Sequence, residues 1–354
     1  MKIKTKKRLT KLGVILAALV ILWGAIALAP RPQNYAGSNP MRKDGADSLP
    51  ILIAHGGGNK EFPDNTLEAF YNAYSVDPRV MMETDVSITS DGVVILSHDT
   101  RLDRKTNVTG NIADWSYADL IAQRVDFGYT NETKSQKLVE GSALVKFTTE
   151  DGRHVTPLDV TYPEGVSPRD EEVFLATTLE ELMLAFPENR INVEIKQEGE
   201  LGMKAMREVL RLLEVHDAWD RVVLASFHND IYAEYQRLQK AGEVPENFLC
   251  SPALGSAATF FVMQLLELDV FYGDQTCVLQ LPTDYDISAG PLELTFQLAT
   301  ERLVNAAHNH NMAVHYWTIN DPDEMRMLVG IGADGIMTDY PHRLQQVYDS
   351  MAAR

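Results

Sequence analysis

The sequence predicts an α/β chain folded as a (β/α)8 barrel of the TIM type, with an insertion after the third strand and an N-terminal transmembrane helix. Three observations predict it. Short apolar runs alternate with amphipathic helical stretches through most of the 354 residues, the pattern of a parallel sheet covered by helices. The length left after the N-terminal segment suits one large barrel of about 250 residues or more. Polar and charged side chains gather where the apolar runs end, and a barrel keeps its chemistry at the C-terminal ends of its strands.

The chain opens on a basic flank. Five Lys and one Arg lie in the first 11 residues, and Leu12–Ala29 follows as an uncharged, mainly apolar run of 18 residues. That length is near the lower limit for crossing a bilayer. Residues 1–29 are therefore expected to be a cytoplasmic flank and membrane anchor, leaving the body on the extracytoplasmic side. Cleavage after Ala27-Leu28-Ala29 would instead release a secreted protein, although Pro30 would then follow the cut. Residues 30–49 are rich in Pro, Gly, Asn and Ser and read as a linker.

The barrel is expected over residues 50–346. Its strand candidates are "ILIAH", "VMMETDVSI", "VVILSHD", "INVEIK", "VVLASF", "NFLCSPA", "CVLQLP", "AVHYWTI" and "GIMTDY". These are nine, so one is expected outside the ring of eight. Helix candidates include "NTLEAFYNAYS", "TTLEELMLAF", "ELGMKAMREVLRLLEVH", "DIYAEYQRLQKAG", "ELTFQLATERLVNAAHNHN" and "DPDEMRMLVGIG". Residues 100–174 break the rhythm with a long polar stretch. It is too long for an ordinary loop and reads as an insertion or lid, with a hairpin in "ALVKFTTEDGRHVTPL" turning at Glu150-Asp151-Gly152.

Charge narrows the function. The net charge is −18, and residues 1–43 carry nine basic and no acidic residues, so the rest carries −27. A body that acidic argues against general nucleic-acid binding, which needs a basic face. Cys250 and Cys277 permit a disulfide in an exported protein, but both lie in apolar stretches where buried free thiols are equally expected.

The chemistry gathers at strand ends. "ILIAH" ends in His55, and "VVILSHD" ends in His98 and Asp99. "VMMETDVSI" carries Glu83 and Asp85, while "INVEIK" carries Glu194 and Lys196. Residues two apart on a strand share a face, so Glu83 points with Asp85, and Glu194 with Lys196. Neighbouring buried carboxylates are costly unless something pairs them. A divalent cation with a preference for oxygen, Mg²⁺ or Ca²⁺, answers that need. An edge strand facing solvent would also explain the two acids. His55 and His98 suit proton transfer near neutral pH. His308 and His310 at a helix end, and His315 inside a strand, read as ordinary structural histidines.

Those residues form a recognisable series. "IAHGGGNKEFPDNTLEAF", "METDVSITSDGVVILSHDTRLDRKTNVTG", "TTLEEL", "NVEIK", "HYWTIND" and "GADGIMTDYP" occur in this order over residues 51–341. The series resembles the glycerophosphodiester phosphodiesterase family, related to phosphatidylinositol-specific phospholipase C. The resemblance implies metal-dependent hydrolysis of small or lipid-derived glycerophosphodiesters to glycerol phosphate and an alcohol. It implies His55 and His98 as general base and acid, and Glu83, Asp85, Glu194 and Asp64 as metal ligands. Lys196 would contact phosphate, and Trp317 would stack on the glycerol or alcohol portion. Two departures stand out. "PDNT" has Asp64 where the family has Glu, and Gly56 stands where an arginine usually follows the first histidine. Lys60 is the candidate to supply the missing phosphate contact. The competing expectations are a phosphodiesterase or lyase acting on lysolipid or sphingolipid, and a phosphodiester-binding module without activity.

Overall fold

The computed structural model describes residues 2–45, 47–130, 143–289 and 292–352. Its strands are β1 (Ile51–His55), β2 (Met81–Ile88), β3 (Val94–Leu96), β4 (Tyr129–Thr130), β5 (Val145–Lys146), β6 (Ile191–Ile195), β7 (Val222–Ala225), β8 (Leu249–Cys250), β9 (Val278–Leu281), β10 (Asp284–Ala289), β11 (Leu292–Gln297), β12 (Ala313–Tyr316) and β13 (Gly335–Thr338). Its helices are α1 (Lys2–Ala27), α2 (Leu67–Val76), α3 (Tyr117–Ala122), α4 (Leu179–Ala185), α5 (Gly199–Val215), α6 (Asn229–Ala241), α7 (Leu254–Leu265), α8 (Glu301–Asn309), α9 (Pro322–Gly330) and α10 (Pro341–Ala352).

Eight strands run parallel in the order β8-β7-β6-β2-β1-β13-β12-β9 and curl into a sheet of the TIM type. The Cys277 N–H donates to Cys250 O at 3.0 Å, which ties the two end strands together. The ninth strand candidate is β3. It pairs antiparallel with β2, Val86 opposite Leu96, and so stands outside the parallel set. Both cysteines are free and buried.

Strand alternation separates two cores. Leu52 and Ala54 of β1 and Met82 of β2 join the large cluster between sheet and helices. Ile53 and Met81 face inward with Val223, Leu249, Val278, Ala313 and Met337. His55 continues the inward face of Ile53, and Glu83 and Asp85 continue that of Met81. His55, Glu83 and Asp85 therefore sit on top of an apolar column.

The bottom of that column is closed by residues read as a linker. Met41 is fully buried and Tyr35 nearly so, both in the inner cluster. Asn39 donates from Nδ2 to the Cys277 and Asn311 carbonyls, each at 2.7 Å. The Asn34 N–H donates to His310 O at 2.9 Å. Side-chain-to-backbone bonds hold this Pro- and Asn-rich stretch where its composition suggests freedom.

Two further expectations change. "ELTFQLATERLVNAAHNHN" is not one helix: its first residues form β11, paired antiparallel with β10, and α8 begins only after the Thr300 N-cap. The period-two alternation of "ELTFQ" outweighs its helix propensity. The N-terminal segment is helical, but among the described residues no helix is long and apolar enough to cross a membrane. Its uncharged part within α1, Leu12–Ala27, rises about 24 Å, less than the ~30 Å hydrocarbon core.

The insertion carries α3 and the β4–β5 pair, and Thr148 bridges His154 across the expected turn. The part of it over 131–142 lies outside the described residues.

Candidate active site

The first loop explains its own glycines. Gly56 has φ of 54°, and a Cβ there would lie 2.9 Å from Asp64 Cβ. Its N–H donates to Glu83 Oε2 at 2.9 Å. An arginine at this position would have to displace Asp64. Gly57 is also filled by its surroundings, because a Cβ there would lie 2.7 Å from Ala69 Cβ on α2. The turn is thus bare so that α2 can pack closely. Thr66 is the N-cap of α2 and accepts from the Ala69 N–H at 3.3 Å.

His55 and His98 line one cavity of about 280 Å³ together with Glu83, Glu194, Lys196 and Trp317. Each histidine is oriented by a carboxylate. His55 donates from Nδ1 to Asp339 Oδ1 at 2.6 Å, and Asn320 Nδ2 donates to the other Asp339 oxygen at 2.7 Å. His98 donates from Nδ1 to Asp99 Oδ1 at 3.0 Å, and Arg104 Nε holds Asp99 Oδ2 at 2.7 Å. Both Nε2 atoms remain for the cavity. Burial opposes charge on His55, but its bond to Asp339 and the charges of Glu83, Asp339 and Asp85 raise its pKa to about 9. The bond to Asp99 raises His98 against the effect of burial.

Glu83, Asp85 and Glu194 each bring an oxygen within 4.8 Å of the others. Lys196 Nζ lies 2.9 Å from Asp85 and 2.8 Å from Glu194. Among the described residues, Glu83 has only the Gly56 amide and His55, whose Nε2 is 4.0 Å away. Burial raises Glu83, and the charge of Asp85 adds to it. Burial also raises Glu194, where Lys196 offsets part of the effect and Asp85 adds to it. Asp85 is held low, against burial, by Lys196 and both histidines. Two buried carboxylates and a half-buried one sharing one ammonium fit a hard divalent cation, which takes oxygen ligands and matches their excess charge.

Two candidates fall outside this cluster. Asp64 pairs with Lys105 Nζ at 2.5 Å, and Lys105 keeps it ionised despite burial. Asn65 Nδ2 bridges from Asp64 at 3.2 Å to Asp85 at 3.1 Å. Lys60 is exposed and lines a separate surface hollow with Glu61, Tyr340 and His342. It does not line the histidine cavity. The sequence reading also missed Asp339, Arg104, Lys105 and Phe227. Asp339 ends the last strand run, and Arg104-Lys105 follow His98 closely, so position alone was the available signal. Phe227 is 53% exposed at the cavity and meets Trp317 edge-on at 6.2 Å.

Known proteins place the chain in a family. Residues 55–343 match the model of the glycerophosphoryl diester phosphodiesterase family. A glycerophosphodiester phosphodiesterase of Bacillus subtilis is 24% identical over 344 residues, covering 94% of this chain and 98% of its own. The rat lysophospholipase D GDPD1 is 25% identical, covering 85% of this chain and 87% of its own. A phosphodiesterase of Oleispira antarctica, solved with the product sn-glycerol-3-phosphate, superposes with a TM-score of 0.56 at 20% identity. That match covers 85% of this chain and 97% of the other. Since the family model spans most of the chain, the protein belongs to the glycerophosphoryl diester phosphodiesterase family.

Proposed function

We propose that the protein hydrolyses glycerophosphodiesters to glycerol phosphate and an alcohol, using a divalent cation and two histidines of opposite role. One observation carries this reading: two carboxylate-braced histidines and a three-carboxylate cluster share one cavity. Glu83, Asp85 and Glu194 would hold Mg²⁺ or Ca²⁺. Such a cation supplies Lewis acidity toward a phosphoryl oxygen and offsets the carboxylate charge that favours a proton on His55.

The chain's own groups do the rest. His55 Nε2 accepts the proton of the attacking hydroxyl, either the glycerol's own or a water. His98 Nε2 donates a proton to the departing alkoxide. Asp339 and Asp99 hold the rings so that Nε2 faces the substrate. Lys196 offsets the charge of the phosphoryl oxygens. Trp317 and Phe227 form an aromatic wall for the glycerol or alcohol portion. If the glycerol hydroxyl attacks, a cyclic phosphate forms, and water opens it with the histidine roles exchanged.

The test is a panel of glycerophosphocholine, lysophosphatidylcholine and polyglycerophosphate, each with and without EDTA, read by release of glycerol phosphate or lysophosphatidate. Metal-dependent product from glycerophosphocholine is expected. No metal-dependent product from any of the three would leave a binding module. Faster turnover of lysophosphatidylcholine would support the second reading, a lysophospholipase D, which the exposed Phe227 favours.

We also propose that the chain works at a membrane. The support is α1, whose Leu12, Val14, Ile15, Leu16, Leu19, Val20, Ile21 and Leu22 are all more than half exposed. With Leu28 and Ala29 the apolar run reaches the shortest spanning length. The basic residues before it would remain cytoplasmic and the barrel would lie outside. Protease added to intact cells would then digest the barrel and spare a tag at the N-terminus. Protection of the barrel would contradict the assignment.

A further inference from the structure

One flank of the body carries a run of exposed apolar side chains. Residues 254–266 contain no Asp, Glu, Lys or Arg, although these make up 23% of the chain. Leu254, Val262, Leu265 and Leu266 are 42–54% exposed, and Phe271 beyond them is 64% exposed. A surface helix normally turns charge outward, and α7 has none to turn.

The β10–β11 hairpin extends this surface. Tyr285 pairs with Phe296 and Ile287 with Leu294, while Asp284 pairs with Gln297 and Asp286 with Thr295. Strand alternation puts the four apolar residues on one face and the polar pairs on the other. Tyr285, Ile287 and Leu294 are 40–45% exposed. Phe296 meets Phe261 of α7 edge-on at 5.9 Å. At the other end of α7, Trp23 of α1 donates from Nε1 to Leu266 O at 2.9 Å. Hairpin, α7 and the end of α1 thus make one apolar strip from the catalytic face to the point where α1 leaves the body.

We propose that this strip lies on a lipid surface, so that the barrel docks on its flank and not only through α1. The occupant follows from two observations. The strip runs into the uncharged part of α1, Leu12–Ala27, which is apolar on every side, and a lipid phase covers such a surface where a single protein face does not. A body carrying −27 repels a second copy of itself. The hairpin follows β9, whose Gln280 lines the active-site cavity. Docking on the flank places the cavity mouth near the lipid interface, where diesters with an acyl chain reside. That last consequence rests on the proposed hydrolase reading, while the docking itself does not.

The test uses the full chain mixed with phosphatidylcholine vesicles. Both native thiols are buried, so an environment-sensitive dye can be placed on V262C, I287C or, on the opposite side, Q346C. Blue-shifted emission and quenching by spin-labelled lipid are expected at 262 and 287 but not at 346. The inference is overturned if the chain floats with vesicles while 262 and 287 stay in water, or if the chain does not float. Lipid-independent, concentration-dependent burial of the dyes would also overturn it, in favour of a second copy. In a second arm, Ile287→Glu with Leu294→Glu should lose about tenfold turnover on vesicle-borne lysophosphatidylcholine and keep soluble glycerophosphocholine turnover. Equal turnover on both substrates would refute docking of the hairpin. Absent turnover of every substrate by the unmodified protein would instead sink the hydrolase reading, with the dye result standing by itself.

Discussion

Both ends of the barrel set histidines against carboxylates, yet the two ends balance their charge differently. At the bottom, His310 joins Asn34 Oδ1 at 2.7 Å and Asp269 at 3.0 Å, and Arg31 Nε meets the same Asp269 oxygen at 2.8 Å. His308 Nε2 lies 2.7 Å from Asp334, which also accepts the Val314 N–H at 2.9 Å. Each of these carboxylates has a cationic or donor partner within the protein. At the top, Glu83, Asp85 and Glu194 converge and Lys196 reaches only two of them. A buried His–acid pair is therefore a poor sign of function. Carboxylate charge in excess of its local partners is the better one.

The comparison breaks most sharply on the histidines. His55→Ala should lower kcat by about 10³-fold, the scale of a lost general base, with little change in unfolding free energy. His310→Ala should do the reverse, keeping kcat and costing about 3 kcal/mol, as for a buried pair that loses one partner. Steady-state kinetics and urea unfolding of both variants decide it. A His310→Ala enzyme that is stable but inactive would erase the distinction between the two ends.

Met41 tests the bottom as structure alone. Met41→Ala removes a fully buried side chain from the inner core and should cost about 3 kcal/mol of stability. The ratio kcat/KM should stay within about twofold, because the plug and the histidines lie at opposite ends of the column. Unchanged stability would show that residues 30–45 are the free linker their composition suggests.

Stability against pH should carry opposite signs at Asp269 and at Glu83. At the bottom, burial opposes ionisation of Asp269, but Arg31 and His310 hold its pKa below the usual value. It adds stability above its unfolded pKa, about 3.9, which is lost as pH falls through the lower folded value. At the top, Glu83 is raised to about 8. Its contribution is complete below about 4.3 and is lost as pH rises toward 8. The metal-free protein should therefore melt highest near pH 5. Mg²⁺ or Ca²⁺ should raise Tm at pH 8 by about 4 °C and little at pH 5. A cation effect independent of pH would mean that these carboxylates are not its ligands.

The top of the barrel was legible because its chemistry interrupts apolar strands. His55 and Glu83 follow the inward-facing apolar Ile53 and Met81 at a spacing of two, Asp85 and Glu194 continue the inward faces of their own strands, and a strand fixes their direction. The bottom was not legible. Asn34 and Asn39 act through bonds to distant backbone carbonyls and Met41 by filling the inner core, and nothing in a Pro- and Asn-rich stretch reveals which partners will be near. The α7 helix went unread for a related reason, since a run without charge has no polar face to mark its period. β3 showed its strand character but not its direction of pairing, which depends on the chain reversing between Ile88 and Val94.

The smallest expected effect concerns the lysine that sequence proximity favoured. Lys60 follows His55 by five residues, and a phosphate contact was expected from it. The turn instead carries it to the hollow beside Glu61 and His342, while Lys105 approaches from the insertion to hold Asp64 at 2.5 Å. Asn65 links that carboxylate to Asp85, so a change at Lys105 reaches the cation cluster and a change at Lys60 does not. Lys105→Ala should lower kcat/KM by about tenfold and weaken cation affinity, measured by titration of activity with Mg²⁺ and Ca²⁺. Lys60→Ala should leave both within about twofold. If Lys60→Ala is the more damaging variant, the first loop must move on substrate binding to bring Lys60 to the phosphate, and the geometry assigned to the top of the barrel would describe only its resting form.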